Sequence, residues 1–338
     1  MNTAAGLLAD VLREPATATG LDADQWTGLL TAARAEQLIA SLALVLEDKQ
    51  VAFESSRKVL KSGRHAAEQG RVQALWEVEM CRRALAPLGI PVVLLKGSAY
   101  IAAGLQAGEG RFVGDLDILV PRERLADVEH ALLGAGWEWV KDDPYDHLYY
   151  RKWMHELPPL IHRDRDRMID VHHTILPPTA RRKPRAAALI ADSVTLSDGL
   201  RVLSSPDMIV HAAAHLFADG DLAGGLRNLW DIDRLLRQFG QQEGFWRRLA
   251  EHARLHDLEA AVSRSLRLSG ALYGTPIGWS DHRGLSFADR VFLRRLCARD
   301  HWGRQTRKLT RFAFYIRSHW IRMPPLLLAR HLWIKSRG

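Results

Sequence analysis

One stretch limits this chain more than any other. FVGDLDILVP, residues 112–121, sets Asp115 and Asp117 among Leu116, Ile118, Leu119 and Val120. Apolar residues around alternating polar ones, closed by a proline, predict a strand. Successive side chains of a strand point to opposite faces, so Asp115, Asp117 and Leu119 share one face. Leu116, Ile118 and Val120 pack on the other. An unpaired carboxylate in a buried strand costs several kcal/mol, comparable to the whole stability of a domain. A divalent cation, a salt bridge to Arg111 or solvent at a sheet edge would each relieve it. Two carboxylates about 7 Å apart on one strand face are the hard oxygen ligands that Mg²⁺ or Mn²⁺ takes.

Taken alone, D-x-D is common by chance, and this chain holds a second copy. WDIDR places Asp231 and Asp233 in a helical pattern, where positions i and i+2 do not face each other. That copy reads as a solvated or helix-pairing face. The first copy differs in what precedes it. IPVVLLKG reads as a short strand ending at glycine, and SAYIAAGL as a helix with Ser98 as its N-cap. Lys96, Gly97 and Ser98 thus stand at a strand-to-helix turn, where glycine admits a phosphate, serine offers a hydroxyl and lysine a charge. A third carboxylate, Asp170, lies in RMIDVHH, a strand on which Met168, Asp170 and His172 share a face. Pairing with Arg165 or Arg167 is the plainer role for it. His172 is placed beside whatever Asp170 does.

Around this core the chain reads as helical. DADQWTGLLTAARAEQLIASLALVLE and AAEQGRVQALWEVEMCRRALAPLG predict two helices before residue 89. RERLADVEHALLGAG predicts another, whereas HLYYRKW and PPLIHR read as short strands. From SSPDMIVHAAAHLF onward the pattern is helical again, with Ser204 or Ser205 as a cap and GGLRNLWDIDRLLRQFG as a further helix. The expected division is an N-terminal helical region (1–88), an α+β core (89–200) and a C-terminal helical region (201–338).

These residues resemble the DNA polymerase β-like nucleotidyltransferase superfamily, whose signature is a strand, Gly-Ser at a helix start, D-x-D on the next strand and a later third carboxylate. LLKGSAY, RFVGDLDILV and IDVHH are more closely similar to a bacterial family of uncharacterised nucleotidyltransferases, over roughly residues 90–240. The resemblance implies an α+β fold with a small polymerase β-like mixed sheet flanked by N-terminal and C-terminal helices. It implies that Asp115, Asp117 and Asp170 are catalytic and bind Mg²⁺ or Mn²⁺, Asp170 also helping to deprotonate an acceptor. Gly97 and Ser98 would hold the β- and γ-phosphates of a nucleoside triphosphate, and Lys96 and Arg111 would neutralise phosphate charge. The reaction implied is transfer of a nucleoside monophosphate onto a hydroxyl of a small molecule, protein or RNA, by two metals about 3.5–4 Å apart.

Other features are weaker pointers. His211 and His215 stand at i, i+4 but lack the glutamate of H-E-x-x-H, so packing or hydrogen bonding is their expected role. The formal charge is +8, which suits a polyanionic partner without choosing one. The tail from Arg307 interleaves cations with Phe312, Phe314, Tyr315, Trp320 and Trp333, broken at Pro324 and Pro325. An amphipathic helix pair packed on the core is its plain reading, and RNA or a membrane surface the alternative. Two distant cysteines, Cys81 and Cys297, give no disulfide framework, and no leader or uncharged span stands out. A cytoplasmic enzyme is the expectation. An inactive nucleotide-binding or regulatory module, or a membrane-surface accessory protein, is the alternative.

Overall fold

The computed structural model describes residues 3–49, 53–197, 199–218, 220–279 and 284–322. Among these, β1 (Val93–Leu94), β2 (Asp115–Leu119), β3 (Trp137–Trp139), β4 (Leu160–His162), β5 (Met168–His172), β6 (Val194–Thr195) and β7 (Arg201–Val202) form one mixed sheet. Its order is β3-β4-β5-β2-β1-β7-β6. The α+β class expected from the sequence is what forms, with helices before and after the sheet. β2 pairs parallel with β5, placing Asp117 opposite Asp170, and β1 runs antiparallel on the other side of β2. Leu116, Ile118 and Val120 are buried, as are Ile169 and Val171 of β5. This apolar face anchors the two strands and fixes which face carries the carboxylates.

The helices that precede the sheet are α1 (Ala4–Arg13), α2 (Ala23–Ala35), α3 (Ile39–Val45) and α4 (Glu54–Leu85). α2 opens with a reciprocal cap: Asp22 accepts from Gln25 N (2.8 Å) and Gln25 accepts from Asp22 N (2.9 Å). The single helix expected over residues 22–47 breaks between α2 and α3, where Gln37 takes φ +56°. α4 begins earlier than its sequence pattern suggested and buries Ala67, Ala74, Val78, Cys81 and Leu85 along one stripe, which packs over α3, β2 and the next helices.

Within the sheet region lie α5 (Lys96–Ala102), α6 (Leu125–Gly134), α7 (Pro144–Trp153) and α8 (Ala186–Ala191). α7 contains HLYYRKW and corrects the strand expected there. Its aromatics favour strands, but local chemistry decides. The Asp143 carboxylate accepts from Tyr145 N (2.9 Å) and Asp146 N (3.0 Å), Pro144 takes the first turn, and Arg151 and Lys152 stand in the last. Asp143→Ala is expected to lower the denaturant midpoint of unfolding, because the N-cap of α7 is lost.

After the sheet come α9 (Ser205–Ala218), α10 (Gly225–Phe239), α11 (Phe245–Leu255), α12 (Glu259–Tyr273), α13 (Phe287–Leu296) and α14 (Lys308–Arg322). Ser204 Oγ accepts from Asp207 N at 3.4 Å ahead of α9, the cap expected at this serine pair. α9, α10, α11 and α12 pack together, and α12 also meets α1, so buried side chains form one cluster from Ala5 to Phe314. α14 buries Phe314 against Phe292 (centroids 4.8 Å) but exposes Leu309, Phe312, Tyr315, Ile316 and Trp320. The packed-tail reading therefore holds for Phe314 alone among these; Pro324, Pro325 and Trp333 lie outside the described residues. No helix among the described residues is long and apolar enough to cross a membrane.

Candidate active site

The carboxylates converge. Asp115 and Asp117 from β2 and Asp170 from β5 each bring an oxygen within 4.8 Å of the others. The parallel register does this, because it puts residues of like parity on adjacent strands on one face. Asp117 is buried, whereas Asp115, at the strand's start, is partly open to solvent, so the desolvation problem raised by the sequence falls mainly on Asp117. Its charge is met by two side chains on the same oxygen. Lys96 Nζ donates to Asp117 Oδ1 at 2.7 Å, and His172 Nε2 lies 3.0 Å from it. Neither Arg165 nor Arg167 pairs with Asp170: Arg165 bonds Glu77 (2.7 Å) and Arg167 bonds Gln73.

Lys96 reaches Asp117 through an unusual backbone. Leu95 N bonds Asp117 O (2.9 Å), which brings the end of β1 alongside Asp117, and Lys96 then takes φ +49°. A lysine in the left-handed region costs roughly 1–3 kcal/mol, strain typical of residues held in place for a task. α5 starts at this residue, with Leu95 at its cap position. Ser98 is therefore not the N-cap expected from the sequence; it is buried in the first turn and borders a shallow depression with Gly114 and Asp115.

Gly97 is a packing requirement. A Cβ there would lie 2.5 Å from Arg111 Nε and 2.8 Å from Val113 Cγ2. Gly97→Ala is expected to displace Arg111 and to cost about 1–3 kcal/mol in chemical denaturation, the usual range for overpacking. Arg111 itself is held from a distance. Its guanidinium pairs with Asp231 of α10, which also accepts from Arg227 (Nε at 2.9 Å), and Arg227 bonds Ser41 Oγ (2.7 Å). The WDIDR pair is thus buried rather than solvated: Asp231 sits in this network, and Asp233 accepts from Arg237 (2.9 Å) and Thr275 (2.6 Å). Its helix-pairing half is as expected, through the i, i+4 partners Arg227 and Arg237.

These groups line a cleft of about 370 Å³, which Lys96, Arg111, Asp115, Asp170 and His172 share with His155, Glu156, His215 and Arg322. Nothing in the sequence spacing announced His155 or Glu156. A single antiparallel bridge between Glu156 and His172 brings them in, with His172 Nδ1 3.4 Å from the Glu156 carboxylate. His211 and His215 belong to α9, and burial, followed by the Lys96 charge, drives both toward the neutral form, His215 down to about 3.

The electrostatics leave negative charge in excess. Burial raises the Asp117 carboxyl, but Lys96 and His172 outweigh it and hold the group far below its ordinary range. Burial also opposes the Lys96 charge, and Asp117, Asp115 and Asp170 more than offset it. Asp115 is raised by burial and then by Asp117. Asp170 is pushed up to about 7 by burial, then by Asp117 and Glu156. Three hard oxygen donors, two of them carrying repulsion that the neighbouring cations do not fully offset, fit a divalent cation such as Mg²⁺ or Mn²⁺.

A second cluster, Asp207, His252 and His256, is of different character. His256 Nδ1 accepts from Arg185 N (3.2 Å), which assigns the ring proton to Nε2, 3.3 Å from Asp207. His252 Nδ1 lies 2.7 Å from Asp207 Oδ1, so this group reads as an internal brace between α9 and α11.

Comparison with curated proteins found no match. Comparison with protein families found one over residues 22–274, a span that reaches beyond residues 90–240 at both ends and takes in α2 through α12. On that match, the chain belongs to a family of uncharacterised nucleotidyltransferases.

Proposed function

We propose that this protein transfers a nucleoside monophosphate from a nucleoside triphosphate to a hydroxyl-bearing acceptor, with residues 89–200 as the catalytic core between the helical regions 1–88 and 201–338. The observation that carries the reading is the convergence of Asp115, Asp117 and Asp170 on one face of two parallel strands. In this reading the three carboxylates hold Mg²⁺ or Mn²⁺. When bound, the cation supplies Lewis acidity toward the α-phosphate and the leaving oxygens.

The chain's own groups do the rest. Lys96 and Arg111 stand in the cleft as the cations facing the triphosphate, Arg111 held in place by Asp231. The close-packed Gly97 and the neighbouring Ser98 shape the turn against which the β- and γ-phosphates rest. His172 orients Asp117. Asp170 accepts the acceptor's hydroxyl proton as that oxygen bonds to the α-phosphorus, and the bond to pyrophosphate breaks. Incubating the protein with each of the four α-³²P nucleoside triphosphates, Mg²⁺ and a host lysate tests this. Label moved into an acceptor supports the reading and names the nucleotide; no transfer with any nucleotide, from folded protein, refutes it.

The apolar stripe that α14 exposes, Leu309, Phe312, Ile316 and Trp320 beside Arg311, favours peripheral membrane contact as a second property. Phe312→Glu would then reduce sedimentation with anionic vesicles while leaving transfer intact.

A further inference from the structure

A second cavity adjoins the cleft. It measures about 290 Å³ and runs between α9, α12 and α14, with Leu176, Phe217, Leu258 and Ile321 in its largely apolar wall. Leu176, Ala218 and Arg322 line both cavities, so the groove and the carboxylate cleft adjoin at those residues. Its charge is one-sided. Among the described residues, five arginines border it (181, 182, 264, 317 and 322) against one carboxylate, Asp257.

Among the described residues, Arg181 and Arg317 meet rings and a carbonyl rather than a carboxylate. Asp257 is taken by Arg182 (2.6 Å), and Arg264 bonds Asp289 (3.1 Å). Arg181 lies over the Trp320 ring at 4.8 Å. Arg317 donates to the Phe217 carbonyl at 2.8 Å and stands over Phe292 beside Arg264, at 5.1 and 4.5 Å from that ring. Burial, then the neighbouring Arg264, makes the Arg317 guanidinium a stronger acid than usual, which an anion would reverse. Cations gathered at an apolar groove complement a ligand with an apolar body and an anionic group.

We infer that this groove binds the acceptor, and that the acceptor is a small amphipathic molecule: an apolar body between α9, α12 and α14, an anionic group at the arginine rim, and a hydroxyl reaching the carboxylates past Arg322. The inference rests on the nucleotidyl-transfer reading and names the substrate class for it. The chain's own residues 323–338 are a poor occupant by charge, since they bring Arg330, Lys335 and Arg337 and no acidic side chain. Nucleotide and acceptor would then approach Asp170 from two adjoining cavities.

The test uses ω-hydroxydecanoate as the probe and decanediol as its uncharged counterpart, titrated calorimetrically into the full chain, with MgATP titrated separately. Two variants accompany wild type. Ala260→Trp fills the groove from an exposed position on α12, and Arg317→Gln removes the groove cation that stands beside Arg264; thermal melts establish that both fold. The expected result is that ω-hydroxydecanoate binds wild type at least about tenfold more tightly than decanediol, the scale of one charge-assisted contact. Each variant should lose about tenfold or more for it, with MgATP affinity unchanged. Absence of binding, or equal binding to all three proteins, overturns the inference even where MgATP binds normally. Loss of MgATP affinity in Ala260→Trp also overturns it, because the groove would then be the nucleotide's. MgATP binding to none of the proteins, with the probe still bound, removes the acceptor role by refuting the reading beneath it.

Discussion

Asp117→Asn is expected to lower nucleotidyl transfer by at least about a thousandfold, the upper scale for removing a single preorganised electrostatic group. Asparagine keeps the shape and can still accept from Lys96, so what is lost is charge. That charge is the one the site defends most strongly, with Lys96 at 2.7 Å and His172 at 3.0 Å on one oxygen. The same substitution is expected to lower stability near neutral pH. A carboxyl whose folded-state pKa lies below its ordinary value stabilises the fold above the unfolded pKa, and loses that contribution as pH falls through the folded value. Asparagine forfeits it at every pH and leaves Lys96 facing a neutral amide. A transfer assay and a thermal melt on one preparation check both halves.

Asp170→Asn is expected to abolish transfer as well, yet to move stability in the opposite direction. Asp170 is pushed up to about 7 by burial and by its anionic neighbours, so its protonated form suits the metal-free fold better than its charged form. The resulting stability is full below the unfolded pKa and is lost as pH rises through about 7. At pH 8 without metal, wild type therefore carries a penalty on the order of a few kcal/mol that Asp170→Asn escapes. The variant should melt several degrees higher at pH 8, with the gap closing as pH falls toward 4. Added Mg²⁺ should raise the wild-type melting temperature and narrow the gap, because binding to the folded state alone stabilises it by mass action. Equal melting of the two proteins at both pH values would contradict this account of Asp170. Two aspartates facing each other across β2 and β5 thus predict opposite stability effects and the same loss of activity.

Those aspartates were legible because strand periodicity is simple. A carboxylate between two buried β-branched or leucine residues stands out at any strand position, and Asp117 and Asp170 both fit that description. The parity of Met168, Asp170 and His172 on one face was readable for the same reason. What failed were inferences that local sequence cannot carry. β3, β6 and β7 are two or three residues long, too short to show a period. HLYYRKW has strand-like composition, but Asp143 and Pro144, lying just upstream, start a helix. The resemblance implies that Arg111 neutralises phosphate charge, and Arg111 lines the cleft; its partner Asp231 lies 120 residues away on α10. Such long-range pairs leave no mark on spacing. The same holds for Glu156, joined to His172 by one bridge, and for Arg322, brought to the cleft where Thr179 Oγ1 donates to its carbonyl at 2.6 Å.

This division has a physical basis. Backbone periodicity reports which residues share a face, and so the carboxylate triad can be read in one dimension. The carboxylate that holds Arg111 and much of the cleft wall come from α9, α10 and α14, and only the folded chain places them.

The most direct measurement compares ATP labelled at the α-phosphate with ATP labelled at the γ-phosphate, each incubated with wild type, Mg²⁺ and the acceptor fraction, and with Asp117→Asn as control. The account predicts acceptor labelled from α-³²P only, γ-³²P released as pyrophosphate, and neither product with Asp117→Asn. Acceptor labelled from γ-³²P would show phosphoryl rather than nucleotidyl transfer, and α-label transfer undiminished in Asp117→Asn would place the chemistry elsewhere; either result contradicts the account.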